Sequence, residues 1–337
     1  MKKVMEKVAV TGANGYIALH CIYQLLMLGY AVNGSVRSQK KKEIVFEALS
    51  KKNCPVTNLR LFTCNMTSDD GWSECLTQCN YLMHIASPMH LGNSNEEYFL
   101  KPALEGVNRI FKFANKSNIK KVIFTSSVAA IFETSVNKKF YDENDFSNPN
   151  KKNISLYAKS KTLAENTAWN FVKENNFPFE LVIINPAQTI GAPITDNIGD
   201  SNNAIAQILT GQTKFIVPYK FGYVDVRDVA EAHIMAMQNS SSNGKRFPLV
   251  SKDLRHKEIV KILKENGFKD LPKFSIPIFL TICLGIFKKE LRPDLKFIIH
   301  TKSIKKSTIA KDILGWKPRL AEDSILEVAR YVKNKKF

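Results

Sequence analysis

Short apolar runs of strand length alternate with amphipathic, helix-like segments through the first 250 residues of the chain. Val8–Thr11 reads as a buried strand and leads into the helical pattern Tyr16–Leu28; Ala31–Val36 leads into a charged helical stretch. Leu59–Thr63, Tyr81–Ile85, Val122–Ser126 and Leu181–Asn185 are further strand candidates, interleaved with helical segments at Ser73–Cys79, Glu97–Ser117 and Leu156–Glu174. Strands that are apolar throughout must be covered on both faces, as a parallel sheet between two helix layers provides. After Pro186 the pattern loosens. Gly191–Asn203 reads as loop and Leu280–Phe337 as short helices outside the main sheet, with a late return to the sheet near Arg246–Val250. The expectation is an α/β fold, a doubly wound parallel sheet over 1–186 with a late return near 224–250, and a smaller C-terminal lobe over 187–337 that binds substrate.

Composition narrows the class. The chain has 337 residues, 44% of them hydrophobic and 24% charged, enough to bury a core without metals or bridges. The net charge of +18 raises the question of a polyanionic partner. Only nine of the 49 basic residues are Arg, however, and the Lys residues are scattered, so a compositional bias toward Lys and Asn accounts for the charge and no nucleic-acid partner is expected. The six cysteines form no C-x-x-C pair, and no His or Cys completes a metal site around Cys75 and Cys79. Free thiols and a cytoplasmic location follow as expectations. The start of the chain reads as a strand rather than a signal peptide. The longest apolar stretch, Ile276–Phe287, is too short to span a bilayer and reads as a membrane-surface segment, a core helix or an apolar wall over the substrate cleft.

The first chemical signal is Val8-Ala9-Val10-Thr11-Gly12-Ala13-Asn14-Gly15-Tyr16-Ile17-Ala18, a strand, a glycine turn and a helix start. Gly12 permits the tight turn, Gly15 leaves room for a pyrophosphate, and small Ala18 lets the helix pack on the sheet, while the helix N-terminus offers free N–H groups. This is a Rossmann-type dinucleotide turn in the context it requires. Cofactor choice is read at the end of the second strand, where an NAD site usually carries Asp or Glu. Here the segment is Val36-Arg37-Ser38-Gln39-Lys40 with no acid, so Arg37, helped by Ser38 and Lys40 or Lys41, suits a 2′-phosphate and the expected cofactor is NADP(H).

The second signal is Tyr157-Ala158-Lys159-Ser160-Lys161. Tyr157 and Lys161 lie one helical turn apart, and an ammonium beside a phenol is expected to lower its pKa and prepare it for proton transfer to or from a carbonyl oxygen. Thirty residues before Tyr157, Ser127 stands in Thr125-Ser126-Ser127-Val128 at the end of a probable strand, on the carboxyl edge where open α/β sheets bind ligands. His84, at the end of another buried strand, reads as a hydrogen-bonded structural histidine.

These features in this order resemble the extended short-chain dehydrogenases/reductases, and among them the dihydroflavonol-4-reductase-related carbonyl reductases. Thr11–Ala18, His84-Ile85-Ala86-Ser87-Pro88, Thr125–Ser127, Tyr157–Lys161, Asn185-Pro186, Tyr223–Ala230 and Leu314-Gly315-Trp316-Lys317-Pro318 carry the resemblance along essentially the whole chain. It implies Ser127 as the catalytic serine, with Ser126 its confusable neighbour, Tyr157 as acid/base, and Lys161 as ribose ligand and pKa modulator. The implied cofactor contacts are Thr11, Gly12, Asn14, Gly15, Tyr16, Ile17, Arg37, Lys41, Asn65, Met66, Ala86, Ser87, Tyr157, Lys161 and backbone from Pro186 to Thr189. Asn65 replaces the family's usual adenine-side Asp, and Asp225 with Arg227 reads as structural.

Two departures from the family pattern bear on substrate. Phe132 stands where flavonoid-specific members have Asn, and the run into the active tyrosine is Asn153-Ile154-Ser155-Leu156 rather than the cinnamoyl-CoA reductases' Asn-Trp-Tyr-Cys. The resemblance therefore implies an NADP-dependent oxidoreductase of the class acting on CH–OH groups, monomeric or homodimeric, that reduces a small, fairly apolar aldehyde or ketone held near Ser127 and Phe132. A 3β-hydroxysteroid dehydrogenase, a sugar epimerase and a non-catalytic NADP-binding regulator are the alternatives.

Overall fold

A computed structural model describes residues 5–87, 96–133, 138, 140–152, 154–175, 179–277, 279–280, 303–304 and 308–335. In chain order the first half forms β1 (Lys7–Val10), α1 (Tyr16–Met27), β2 (Ala31–Val36), α2 (Gln39–Lys51), β3 (Leu59–Thr63), α3 (Trp72–Leu76), β4 (Tyr81–His84), α4 (Glu96–Lys116), β5 (Lys121–Thr125), α5 (Ala129–Phe132), β6 (Phe140–Tyr141) and α6 (Leu156–Asn175). The rest forms β7 (Glu180–Pro186), β8 (Gln188–Ile190), α7 (Asp200–Leu209), β9 (Lys220–Asp225), α8 (Val226–Gln238), β10 (Arg246–Leu249), β11 (Lys252–Arg255), α9 (His256–Glu265), β12 (Ser303–Ile304), α10 (Thr308–Leu314) and α11 (Ala321–Lys335).

Seven strands make one parallel sheet in the order β10-β7-β5-β4-β1-β2-β3. This is the Rossmann-type doubly wound topology expected from the sequence. The winding reverses between β1 and β4, so the loops leaving their carboxyl ends diverge and open a crevice there. One face of the sheet packs on α1, α2, α8 and α10 through residues such as Leu19, Ile22, Val45, Leu49, Val229, Ala310 and Trp316. The other packs on α3, α4 and α6 through Trp72, Phe111, Ala164 and Phe171. There Phe111 meets Phe124, Phe171 and Phe179 edge-on, at ring separations of 5.4–6.3 Å.

A third core, including Ile190, Ile205, Tyr223, Leu254, Ile259, Leu263, Ile325 and Val328, belongs to a smaller lobe. It lies between the sheet β11-β9-β8 and helices α7, α9 and α11. The lobe is tied to the main sheet by α8. Asp225, at the N-cap of α8, accepts the Arg227 N–H at 2.7 Å and the Ser324 hydroxyl at 2.7 Å from α11. Asp228 is held by Arg319, and its carbonyl accepts the Trp316 indole N–H at 2.9 Å, which explains the Leu-Gly-Trp-Lys-Pro signature.

Two sequence expectations need correction. Asp200–Asn203, read as the end of a loop, is the first turn of α7; buried Ile205 and Ile208 anchor the helix and outweigh its polar opening. Helix α10, read as lying outside the main sheet, instead packs on α8 and β10. Cys21, Cys54, Cys64, Cys75 and Cys79 are buried free thiols, and Asn33 donates to the Cys75 carbonyl at 2.8 Å. Pro88, Asn153, Cys283 and most of Ile276–Phe287 lie outside the described residues. Among the described residues no helix is long and apolar enough to cross a membrane.

The crossing of α1 over β2 depends on Gly34, where an added Cβ would lie 2.6 Å from Leu61 Cδ2 and 2.9 Å from Ala13 Cβ. Gly34→Ala is expected to lower the unfolding free energy by about 1–3 kcal/mol, read as a shift of the urea midpoint at unchanged slope.

Candidate active site

The crevice floor is the glycine turn. Gly12 has φ +70°, and a Cβ there would sit 3.1 Å from Ala86 Cβ; at Gly15 it would sit 3.0 Å from the Gly12 carbonyl oxygen. A side chain at either position would press on the neighbouring chain and open the tight turn. Helix α1 starts at Tyr16 without a side-chain cap, so the N–H groups of its first turn, those of Tyr16 and Ile17 among them, stay available beside Asn14. Thr11 is turned inward. Its hydroxyl accepts from the Ile85 and Ala86 N–H groups at 3.0 and 2.9 Å, which leaves its proton for His84 Nδ1 at 2.9 Å. His84 is thereby fixed as the neutral imidazole with Nδ1 accepting, and burial with the nearby Lys161 charge pushes it down to about 3. Thr11 thus holds the Ile85–Ala86 backbone directly, and His84, which orients the Thr11 hydroxyl, is the hydrogen-bonded structural histidine expected.

At the end of β2, Arg37 and Lys41 are exposed, and Ser38, the N-cap of α2, makes no side-chain capping bond. A guanidinium, a hydroxyl and an uncapped helix start thus follow one another at the carboxyl end of β2. Beyond β3, Asn65 is exposed and its Oδ1 accepts the Thr67 N–H at 3.2 Å, which leaves the amide nitrogen to donate outward. Met66 packs against Gly106 of α4, and its carbonyl accepts Arg109 Nη1 at 2.6 Å.

The structure separates the two serines. Ser126 points into the protein and donates to Glu165 Oε2 at 2.5 Å. The same carboxylate accepts Asn185 Nδ2 at 3.0 Å and, through Oε1, Arg246 Nε at 2.5 Å. Ser127 points the other way. Its Oγ accepts the Ala129 N–H at 3.2 Å, and its hydroxyl acts on the Tyr157 phenol. Tyr157 is half-buried, while Lys161, one turn further along α6, is buried and donates to the Thr125 carbonyl at 3.3 Å. Thr125 Oγ1 donates to Nε2 of buried His233, whose Nδ1–H is taken by the Val229 carbonyl at 2.7 Å.

The electrostatics differ from the expectation. Burial raises the Tyr157 phenol above the usual tyrosine value; the Ser127 hydroxyl lowers it and the Asp200 and Glu133 carboxylates raise it further. The Lys161 ammonium is aimed at the Thr125 carbonyl of β5. Burial pushes Lys161 itself down to about 8, opposed by the Glu165 charge four positions on.

The lobe side of the crevice carries the remaining residues. The Pro186 carbonyl accepts the Val128 N–H at 3.1 Å, and the Thr189 hydroxyl turns back on the Ala187 carbonyl at 3.1 Å. Tyr16 sends its hydroxyl to the Gly191 carbonyl at 2.8 Å and receives Asn202 Nδ2 at 3.1 Å, so its side chain bridges to the lobe while its backbone stays at the turn. Phe132 is half-buried and tilted against Tyr141 at 6.2 Å. Sequence reading missed Glu165, Arg246 and Asn202. Of these only Glu165 carried a local signal, its i+4 spacing from Lys161.

Comparison with known proteins agrees with this geometry. The sequence pattern described as the NAD dependent epimerase/dehydratase family matches residues 8–249. A cinnamoyl-CoA reductase, CAD2 of Medicago truncatula, is 36% identical over 268 residues, covering 77% of this chain and 80% of that protein. A dihydroflavonol 4-reductase of Gerbera hybrida is 31% identical over 80% of this chain and 74% of its own length. The crystal structure of yeast methylglyoxal/isovaleraldehyde reductase Gre2 complexed with NADPH superposes with a TM-score of 0.81 at 25% identity, over 98% of this chain and 99% of that one. Gre2 from Candida albicans, also with NADPH, gives 0.79 at 27% identity over the same shares.

The lowered Lys161 value has a sign that can be tested. Its ammonium costs nothing above the unfolded value near 10.5; the penalty grows as the pH falls toward about 8 and is constant below. Lys161→Met removes it, so the variant is expected to gain stability over the parent at pH 7 but not at pH 10.5. The difference of differences in urea unfolding of the cofactor-free protein is expected to be about 3 kcal/mol.

Proposed function

Because the chain belongs to the NAD dependent epimerase/dehydratase family, we propose that it is an NADP(H)-dependent oxidoreductase that reduces the carbonyl of a small, fairly apolar aldehyde or ketone. The observation that carries the reading is that Ser127 and Tyr157 come together past the carboxyl end of β5, on the same edge of the sheet as the glycine turn after β1. The NADPH in both Gre2 structures supports the choice of cofactor. In this chain Gly12, Asn14, Gly15 and the α1 N–H groups would hold the pyrophosphate, and Arg37, Ser38 and Lys41 the 2′-phosphate. Asn65 and Met66 would flank the adenine, with Ala86, Ser87, Lys161 and the Pro186–Thr189 backbone around the nicotinamide ribose.

NADPH, when bound, supplies the hydride that adds to the carbonyl carbon. Ser127 donates its hydroxyl proton as a hydrogen bond to the carbonyl oxygen and orients it toward Tyr157. The Tyr157 O–H bond then breaks as its proton passes to that oxygen. The raised phenol suits this direction, since it is protonated at neutral pH and acts as a donor. Lys161 holds the ribose side and keeps positive charge near the phenolate left behind. Glu165 acts at one remove by drawing Ser126 inward, so that a single serine hydroxyl faces the substrate.

The 36% identity to a cinnamoyl-CoA reductase favours one second reading, reduction of an aromatic acyl thioester. Against it stands the segment before Tyr157, which lacks the aromatic and cysteine residues of those enzymes.

NADPH oxidation at 340 nm by the purified protein tests the reading. The panel comprises methylglyoxal, isovaleraldehyde, phenylacetaldehyde, a β-keto ester, a 3-ketosteroid, dihydroquercetin and cinnamoyl-CoA. Turnover of a small aldehyde or ketone is expected. Tyr157→Phe should lower kcat about 10²–10⁴-fold, and Ser127→Ala about 10²–10³-fold. Ser126→Ala should keep most of its turnover and lose about 1–2 kcal/mol of stability. Equal losses in the two serine variants would refute the assignment. Arg37→Ala should raise the KM for NADPH about 10–100-fold, as loss of a charged hydrogen bond does, with the KM for NADH unchanged.

A further inference from the structure

Helix α5 is four residues long, and it links the two groups on which the proposed proton transfer depends. Its entry is Ser127, whose Oγ accepts the Ala129 N–H at 3.2 Å and whose carbonyl accepts the Ala130 N–H at 3.0 Å. Its exit is Glu133. The Glu133 carboxylate accepts the Ser155 N–H through Oε1, and Ser155 stands directly before α6, two residues before Tyr157. Ser155 in turn starts that helix: its Oγ accepts the Ala158 N–H at 3.1 Å and its carbonyl the Lys159 N–H at 2.9 Å. The backbone of Glu133 is itself pinned. Its N–H donates to Oγ of buried Ser147 at 2.9 Å, and that hydroxyl donates back to the Ala129 carbonyl at 2.8 Å. The Ser147 N–H closes the loop on the Ala130 carbonyl at 2.9 Å. One short helix thus carries the Ser127 hydroxyl at one end and, at the other, the acceptor that holds the turn bearing Tyr157.

We propose that Glu133 is a positioning residue, whose carboxylate holds the first turn of α6, and with it the Tyr157 hydroxyl, in line with Ser127. The inference rests on the reductase reading above and deepens it. A carboxylate makes a stronger bond to a backbone N–H than a neutral acceptor does, and one placed before a helix N-terminus is favoured by the peptide dipoles there. Glu165 fixes the same helix two turns beyond Tyr157, in the core, so α6 is secured on both sides of the phenol. Proton transfer to a carbonyl oxygen as hydride arrives needs both partners aligned at once, and a misplacement of about 1 Å costs about 10²-fold in rate.

The test compares the parent with Glu133→Ala, Glu133→Gln and Glu133→Asp in NADPH-dependent reduction of the best carbonyl substrate of the panel above. Values of kcat are referred to the NADPH-binding fraction of each preparation, which removes any general loss of folded enzyme. Glu133→Ala should lower kcat about 10–100-fold with the KM for NADPH unchanged. Its deuterium isotope effect on kcat with NADPD should stay at or above the parent's, because the chemical step is the one slowed. Glu133→Gln keeps an acceptor at the same reach and should stay within about fivefold of the parent. Glu133→Asp keeps the charge but shortens the reach by one methylene, and should fall below Glu133→Gln. That order separates position from charge even where Glu133→Ala fails to fold. Parent-like kcat in Glu133→Ala, or Glu133→Asp at or above Glu133→Gln, overturns the inference while leaving the reductase reading intact. A raised KM for NADPH at unchanged kcat overturns it by assigning Glu133 to the cofactor. A parent that reduces no carbonyl in the panel overturns both.

Discussion

A carboxylate buried to 1% exposure must be matched by charge and hydrogen bonds on every side, and in this fold the Glu165 carboxylate is. Arg246 of β10 supplies the charge, Ser126 at the end of β5 and Asn185 of β7 supply hydrogen bonds, and Glu165 itself comes from α6. Three neighbouring strands and one helix are therefore held in a single register, because a slip in any of them would leave an ion or a polar group unpaired in the core. Arg246 extends the constraint outward, with Nη1 bonded to the Glu143 and Asp145 carbonyls and its guanidinium stacked 3.8 Å from the Phe146 ring centre. The proposed catalytic groups take their positions from this node. Lys161 lies one turn before Glu165 and Tyr157 two turns before it, while Ser127 is turned to the crevice because Ser126 is turned away from it.

The opposite edge of the crevice is built on different physics. Neutral imidazoles close two strand ends: His84 accepts from Thr11 after β1, and His233 accepts from Thr125 of β5. Burial pushes the two histidines down to about 3 and about 4, so neither gains charge near neutrality and the walls they support do not respond to pH there. The lobe is joined to the nucleotide turn by uncharged hydrogen bonds at Tyr16 and Asn202 and to α8 by the charged group Asp225–Arg227–Glu327. The seam between the two apolar cores is thus polar and buried, with Asn202 and Asp225 fully enclosed.

The strand and helix pattern, the glycine turn, the Tyr157–Lys161 pair and the absence of an acid at the end of β2 were all legible in the sequence. Each is written in residues close together in the chain: apolar runs for the strands, a four-residue spacing for the helix face, and a strand-turn-helix for the nucleotide loop. What the chain order hid was partner choice. Nothing local distinguishes Ser126 from Ser127, since the partners that do so are 39 residues away at Glu165 and 30 away at Tyr157. The helical start of α7 was hidden because Asp200-Ser201-Asn202-Asn203 has the composition of a loop, and only the burial of Ile205 and Ile208 makes it helical.

The direction of the Tyr157 shift divides the two kinds of information most clearly. By itself the sequence determined that a phenol and an ammonium share one face of a helix, and from that spacing a depressed phenol was the natural expectation. Tertiary structure decided that the Lys161 ammonium reaches a β5 carbonyl, that the Asp200 and Glu133 charges act on the phenol, and that burial outweighs the influence of Ser127. Spacing along a helix fixes which side chains are neighbours. The sign of a pKa shift depends on the full set of charges and the solvent around the group, and those are assembled only when β5, α6 and α7 meet.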